Sequence, residues 1–133
     1  MNYFEPHLTP DELRAISAIG LAHMGDAVYE TLVRTWLCVH GKATGKELHR
    51  ATIALVCAQK QAELAQRVLP QLTEEELAVY KRGRNPNVHA MPRSATPAQY
   101  HAATGLECLM GWLYLRGDKE RAEQLFHAMM EEE

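Results

Sequence analysis

The chain has 133 residues, 47% of them hydrophobic, a formal net charge of −3 and three cysteines. This is the length of one domain, so residues 1–133 read as a single unit that can bury a core without disulfide or metal staples and that lacks the composition of a disordered chain. No apolar run reaches the ~20 residues of a membrane span, and the start MNYFEPHLTPDE has no basic-then-apolar leader, so a cytoplasmic protein is expected.

Ala and Leu number 34 against 10 for Val and Ile, a balance that favours helices over strands. The chain therefore reads as all-α. A first helix is expected over 10–17, opened by Thr9-Pro10-Asp11-Glu12, where a Thr and a Glu three residues apart can each satisfy a free backbone N–H of the other. The second is expected over 20–39. Leu21, Met24, Val28 and Leu32, with Tyr29, Val33, Trp36 and Leu37 beside them, give it one wide buried face, and His40-Gly41 closes it. The third runs over 45–69 from the Thr44…Glu47 box to Pro70, with a break expected near Val56 to Gln59. The fourth, 74–83, begins at Thr73…Glu76; the fifth, 97–116, begins at Thr96-Pro97 and ends at Gly117; the last, 119–130, follows Asp118. Residues 84–95, RNPNVHAMPRSA, are the one long stretch without helical pattern, and loops of that length in compact domains are often functional. Cys38, Cys57 and Cys108 lie in apolar helical segments without C-x-x-C spacing and are expected as reduced core thiols.

Two carboxylates interrupt this pattern. Asp26 follows Gly25 at or near the buried face of the second helix, and Glu107 is the only acid between Glu76 and Asp118. A carboxylate so placed needs a cation, hydrogen-bond donors or a metal to offset its desolvation. Magnesium takes oxygen ligands and keeps several waters, so two carboxylates plus substrate phosphate oxygens are enough to hold it. Once bound, it lowers the pKa of a water and stabilises charge at a phosphodiester undergoing cleavage. The same residues also admit a structural reading, with Asp26 as a cap after Gly25 and Glu107 paired with Arg34 or Arg50. Zinc is not expected, because His23 and Cys108 stand beside the acids without the three or four ligands at zinc spacing. His23 is read as packed, and Glu30 as a surface or interface acid that could reach a metal only through water.

Charge is unevenly distributed. Between Thr31 and Ala62 the single acid Glu47 faces Arg34, Lys42, Lys46, Arg50 and Lys60, and between Leu77 and Leu106 no acid accompanies Lys81, Arg82, Arg84 and Arg93. Such runs commonly just solvate helix faces. Beside two unusual carboxylates they point to a phosphate-binding surface, with Lys81, Arg82, Arg84 and Arg93 as its candidates. Trp36, Trp112 and Tyr114 sit at helical spacing in apolar segments, as core or dimer contacts rather than base-stacking platforms.

The string LAHMGDAVYE at 21–30 resembles the signature helix of the ribonuclease III catalytic domain, and Glu107 with Leu109, Gly111 and Tyr114 resembles that family's later helix. Ala22 in place of the signature glutamate, and KRGRN at 81–85 ahead of the loop, are similar to the mini-ribonuclease III branch. The resemblance runs from about Leu13 to Phe126. It implies a helical homodimer whose signature helices pair about a two-fold axis, and a magnesium-dependent endoribonuclease acting on double-stranded RNA with 23S ribosomal RNA precursor as substrate. Asp26 and Glu107 are then the catalytic and metal-binding acids, while Ala22 and Thr104 occupy the places of two further family acids. No double-stranded-RNA-binding domain is expected beside it, so selectivity would fall to the catalytic dimer, reading duplex shape through phosphates and 2′-hydroxyls. The rival expectation is a catalytically silent RNA-binding scaffold for ribosome assembly with the same fold.

Overall fold

Side-chain caps decide where the helices start. Thr9, Thr73 and Thr96 each accept the backbone N–H three residues on, at 3.1 Å, and the Glu or Gln at that position returns the bond. The computed structural model describes residues 1–85 and 95–130, and all regular structure among them is helical. In chain order the elements are α1 (Pro10–Arg14), α2 (Ala18–Val39), α3 (Gly45–Val56), α4 (Ala58–Val68), a 3-10 turn (Leu69–Gln71), α5 (Glu74–Arg84), α6 (Pro97–Arg116) and α7 (Lys119–Met130).

The first helix is shorter than expected, and the break expected in the third is present. The first helix stops at Arg14 because Ser17 caps α2, its hydroxyl accepting from Gly20 N–H at 2.9 Å. The expected third helix is indeed broken, at Cys57, whose extended backbone (φ −67, ψ 154) ends α3 and begins α4. Two cysteine assignments are corrected: Cys108 is buried, whereas Cys38 and Cys57 are exposed, because one lies on the last turn of α2 and the other at the α3–α4 break.

Helix α6 is the axle of the fold. From Ala102 to Leu113 every residue is buried except Glu107, and α6 packs against α2, α4, α5 and α7. Its neighbours come close because glycines face it. A Cβ at Gly25 of α2 would lie 1.6 Å from the Glu107 carbonyl oxygen, and one at Gly111 of α6 would lie 2.0 Å from the Leu21 carbonyl oxygen. On the other side, a Cβ at Gly83 of α5 would sit 2.4 Å from Cys108 Cβ. Glu76, 4% exposed, fastens α5 to α7 through a forked pair with Arg121 (Nε to Oε2 2.8 Å, Nη2 to Oε1 2.9 Å). The guanidinium holds that carboxyl below the usual range, and Arg121 also reaches the Gln71 carbonyl at 2.9 Å.

Candidate active site

The α2–α6 crossing brings the two acids together. Gly25 rests directly on the backbone of Glu107, so the next residue along α2, Asp26, arrives beside the Glu107 side chain. One step along a helix is a turn of roughly 100°, and it carries Asp26 off the face that α6 covers. The structure thus corrects the expectation for Asp26, which is exposed beside buried Gly25 and Tyr29; Glu107 is the half-buried member of the pair. His23, expected to be packed, is exposed for the same reason, three residues earlier on the same side.

The carboxyl groups face each other closely enough for one to hydrogen-bond the other when protonated. Burial first, and the charge of Asp26 second, push the Glu107 carboxyl up to about 8 against the pull of a Gln61 hydrogen bond. No lysine, arginine or histidine among the described residues neutralises the pair. Arg34, one of the partners expected under the structural reading, is ion-paired with Glu30 instead. Two facing carboxylates with no positive charge of their own form a site whose electrostatics a cation would complete, and their hard oxygens suit magnesium or a similar ion. Among the described residues no three His, Cys, Asp or Glu side chains gather as ligands. A cation there must draw its remaining coordination from water and from substrate phosphate oxygens.

The third member of the site escaped the sequence reading. Gln61, on the first turn of α4, donates from Nε2 to the Val56 carbonyl at 2.9 Å and to Glu107 Oε2 at 3.2 Å. Val56 is the last residue of α3, where the break leaves carbonyls without intrahelical donors. The preceding carbonyl, of Leu55, accepts from the Tyr29 hydroxyl at 2.7 Å. Tyr29 is fully buried one turn after Asp26, and burial holds its hydroxyl protonated, with its pKa raised well beyond the ordinary tyrosine value. The α3–α4 elbow is thus tied to the helices of both acids. A glutamine on a polar helix face carries no signal of such a role, and only the break at 57 could have hinted at it.

The three described candidate phosphate contacts do not form one cluster. Lys81 and Arg84 are exposed, about 60° apart around the end of α5. The Arg84 guanidinium lies 5.8 Å over the Tyr80 ring, and its carbonyl contacts His101 Nδ1 at 2.6 Å. Arg82, also exposed, faces the other way and lines a cavity of about 480 Å³ with Arg14, Trp112 and Arg116. Trp112 and Arg116 sit roughly 140° and 180° around α6 from Glu107, so Arg82 belongs to a different surface from the acids. Arg93 lies outside the described residues. On α3, Lys46 and Arg50 are exposed one turn apart and form no ion pair among the described residues, whereas Lys60 is paired with Glu63 at 3.3 Å.

On α2 the expected apolar face splits in two. Leu21, Tyr29, Val33 and Leu37 are buried in the core, while Met24, Val28 and Leu32 are half-buried and line an open apolar groove of about 330 Å³ with Phe4 and Tyr114. No helix among the described residues is long and apolar enough to cross a membrane.

Comparison with known proteins bears on this arrangement directly. The ribonuclease III domain family matches residues 20–118, a span that includes both acids and Gln61. A Mini-ribonuclease 3 from Symbiobacterium thermophilum is 44% identical over 108 residues, covering 81% of this chain and 83% of that protein. One from Enterococcus faecalis is 41% identical over 118 residues, covering 87% and 89%. The crystal structure of a Fusobacterium nucleatum protein is similar with a TM-score of 0.79 and 29% identity, over 87% of this chain and 94% of that one.

Proposed function

Because the chain belongs to the ribonuclease III family, and is therefore an endoribonuclease acting on double-stranded RNA, we propose that it uses magnesium at Asp26 and Glu107 and matures 23S ribosomal RNA precursor. The observation that carries the metal reading is the facing pair of carboxylates, which no lysine, arginine or histidine among the described residues neutralises. When bound, the ion supplies an activated water and neutralises charge on the phosphate being cleaved. The chain's own residues do the rest. Asp26 and Glu107 hold the ion, the glycine contact between α2 and α6 sets their separation, and Lys81 and Arg84 draw the RNA phosphates to the same molecule. Arg93 joins the proposed RNA-binding set, whereas Arg82, expected from the sequence to belong to it, is left out because it lines the separate cavity.

The apolar groove on α2 supports a homodimer. Its stripe of Met24, Val28 and Leu32 runs along the helix that carries Asp26, so two copies packed there about a two-fold axis hold two acid pairs at a fixed spacing suited to the two strands of a duplex. Light scattering at micromolar concentration should give a dimer, and Val28→Glu a monomer that no longer cuts both strands. A wild-type monomer that cuts both strands would remove the dimer from the mechanism.

The decisive assay incubates purified protein with a 23S precursor transcript and with an unrelated duplex, with and without magnesium. Wild type should cut the precursor only when magnesium is present. Asp26→Asn and Glu107→Gln should keep the circular-dichroism spectrum and lose cleavage. Wild-type rates in either variant would remove that residue from the site, and binding without cleavage by wild type would favour the scaffold reading.

A further inference from the structure

Gln61 is 2% exposed, and its amide is only partly satisfied. Nε2 donates two hydrogen bonds, to the Val56 carbonyl and to Glu107 Oε2, while Oε1 is buried without a partner among the described residues. The opposite amide orientation would set oxygen against two acceptor oxygens, so the partners fix which end faces Glu107. A buried amide oxygen left without a donor is destabilising, because it has given up its water without gaining a partner. A core position that only needed to close the helix break has no reason to bear that cost, since a side chain with a single donor would satisfy Val56. Tyr29 shows as much, closing the adjacent Leu55 carbonyl with one hydroxyl.

We propose that Gln61 is a positioning residue of the acid pair: Nε2 fixes the Glu107 carboxylate opposite Asp26, and Oε1 accepts a hydrogen bond from a water ordered beside the two acids. The inference rests on the reading of Asp26 and Glu107 as cation ligands. Nε2 restricts the rotation of a carboxylate whose other hydrogen-bonding neighbour is the Asp26 carboxyl itself. The α3–α4 elbow, in turn, holds Gln61 through Val56, so the geometry of the acids is set by a feature of the backbone that neither acid touches. Groups that orient metal ligands in this way commonly change metal affinity by about 10- to 100-fold when removed.

The test measures manganese binding to the full-length protein by the loss of the free-ion paramagnetic resonance signal, in wild type and in Glu107→Gln, Gln61→Leu and Tyr29→Phe variants. Gln61→Leu should weaken manganese binding at least about tenfold. Tyr29→Phe, which removes only the Leu55 hydrogen bond and leaves the Val56–Gln61–Glu107 bonds in place, should lower the thermal midpoint and leave manganese affinity unchanged. Equal affinity in wild type, Gln61→Leu and Tyr29→Phe, with binding lost in Glu107→Gln, would reduce Gln61 to an elbow fastener and overturn the proposal alone. Wild-type binding that survives in Glu107→Gln would overturn the metal reading and the proposal with it. Should Gln61→Leu not fold, nitrogen-15 spectra of wild type decide. The Gln61 side-chain amide should shift on magnesium addition along with the Asp26 amide, and an unmoved Gln61 beside a shifting Asp26 refutes its role.

Discussion

Gly25→Ala tests whether one backbone contact sets both the stability and the chemistry of the molecule. The added Cβ would stand 1.6 Å from the Glu107 carbonyl oxygen, 2.5 Å from its carbon and 2.8 Å from Gly111 N. Ordinary contact needs about 3.5 Å, so α2 and α6 must separate by about 2 Å. All three obstructing atoms are main chain, and no rotamer change can relieve them. Overpacking a core ordinarily costs about 1–3 kcal/mol; here the upper end is expected, since the crossing involves the most buried helix. With a urea slope of about 1–3 kcal/mol per molar for a small protein, a loss near ~3 kcal/mol lowers the urea midpoint by roughly 1–3 M. Activity should fall further than stability, because the contact also spaces the acids and a misplacement of about 1 Å can cost ~100-fold in rate. The assay pairs urea melts followed by circular dichroism with duplex cleavage at a temperature where the variant is folded. Gly45→Ala, whose added Cβ meets nothing within 4 Å, serves as the matched control and should change neither. A Gly25→Ala protein with the midpoint and cleavage rate of the control would refute the argument.

The Glu107 carboxyl, pushed up to about 8 by burial and by Asp26, makes metal-free stability depend on pH. Its protonated form is the one that the fold favours. Its contribution is therefore full below the ordinary carboxylate range and is lost as pH rises toward about 8, so thermal midpoints in chelator should fall across that window. Added magnesium, which favours the ionised pair, should flatten the decline, and a chelated midpoint that rises with pH would contradict this origin. Arg121→Ala leaves the buried Glu76 carboxylate without its fork and should cost about 3 kcal/mol in chemical denaturation at neutral pH. Because Glu76 is held below its usual range, that difference should shrink as pH falls through the titration of the wild-type carboxyl. Among the basic residues, Lys81→Ala and Arg84→Ala should each reduce the slope of log duplex affinity against log salt by somewhat under one unit. Arg82→Ala should leave the slope unchanged, since its side chain lies in the cavity with Arg14 and Arg116. Equal slopes for all three variants would show that the two faces of α5 are not distinguished by RNA.

Helix starts were legible because caps are written in adjacent residues: Thr9 and Thr73 each announce a helix through a Glu three positions on, and Thr96 through the proline that follows it. The acids were legible because a charge in an apolar run needs a reason, and Asp26 and Glu107 are both such charges. Their meeting was not legible. It depends on Gly25 and Gly111 facing each other across two helices, and a glycine in a helical pattern does not say what it touches. Exposure of Asp26, His23 and Cys57 was missed because periodicity places a residue on a face but does not say how far the neighbouring helix extends over it. The break at Cys57 was anticipated, yet Gln61 was not, since its partners, Val56 and Glu107, are joined only by the tertiary fold. The basic run at 81–84 looked continuous along the chain, and the helix divides it between two surfaces.

The central place of α6 also orders events while the chain is being made. The helices it buries, α2, α4 and α5, all precede it in the chain. At synthesis rates of about 5–20 residues per second, the core stripe of α2 waits for several seconds before the residues that cover it have been joined. A half-made chain carries Asp26 on an uncovered helix without its counterpart, so a ribosome translating this message holds no nuclease until the final quarter of the protein has been added.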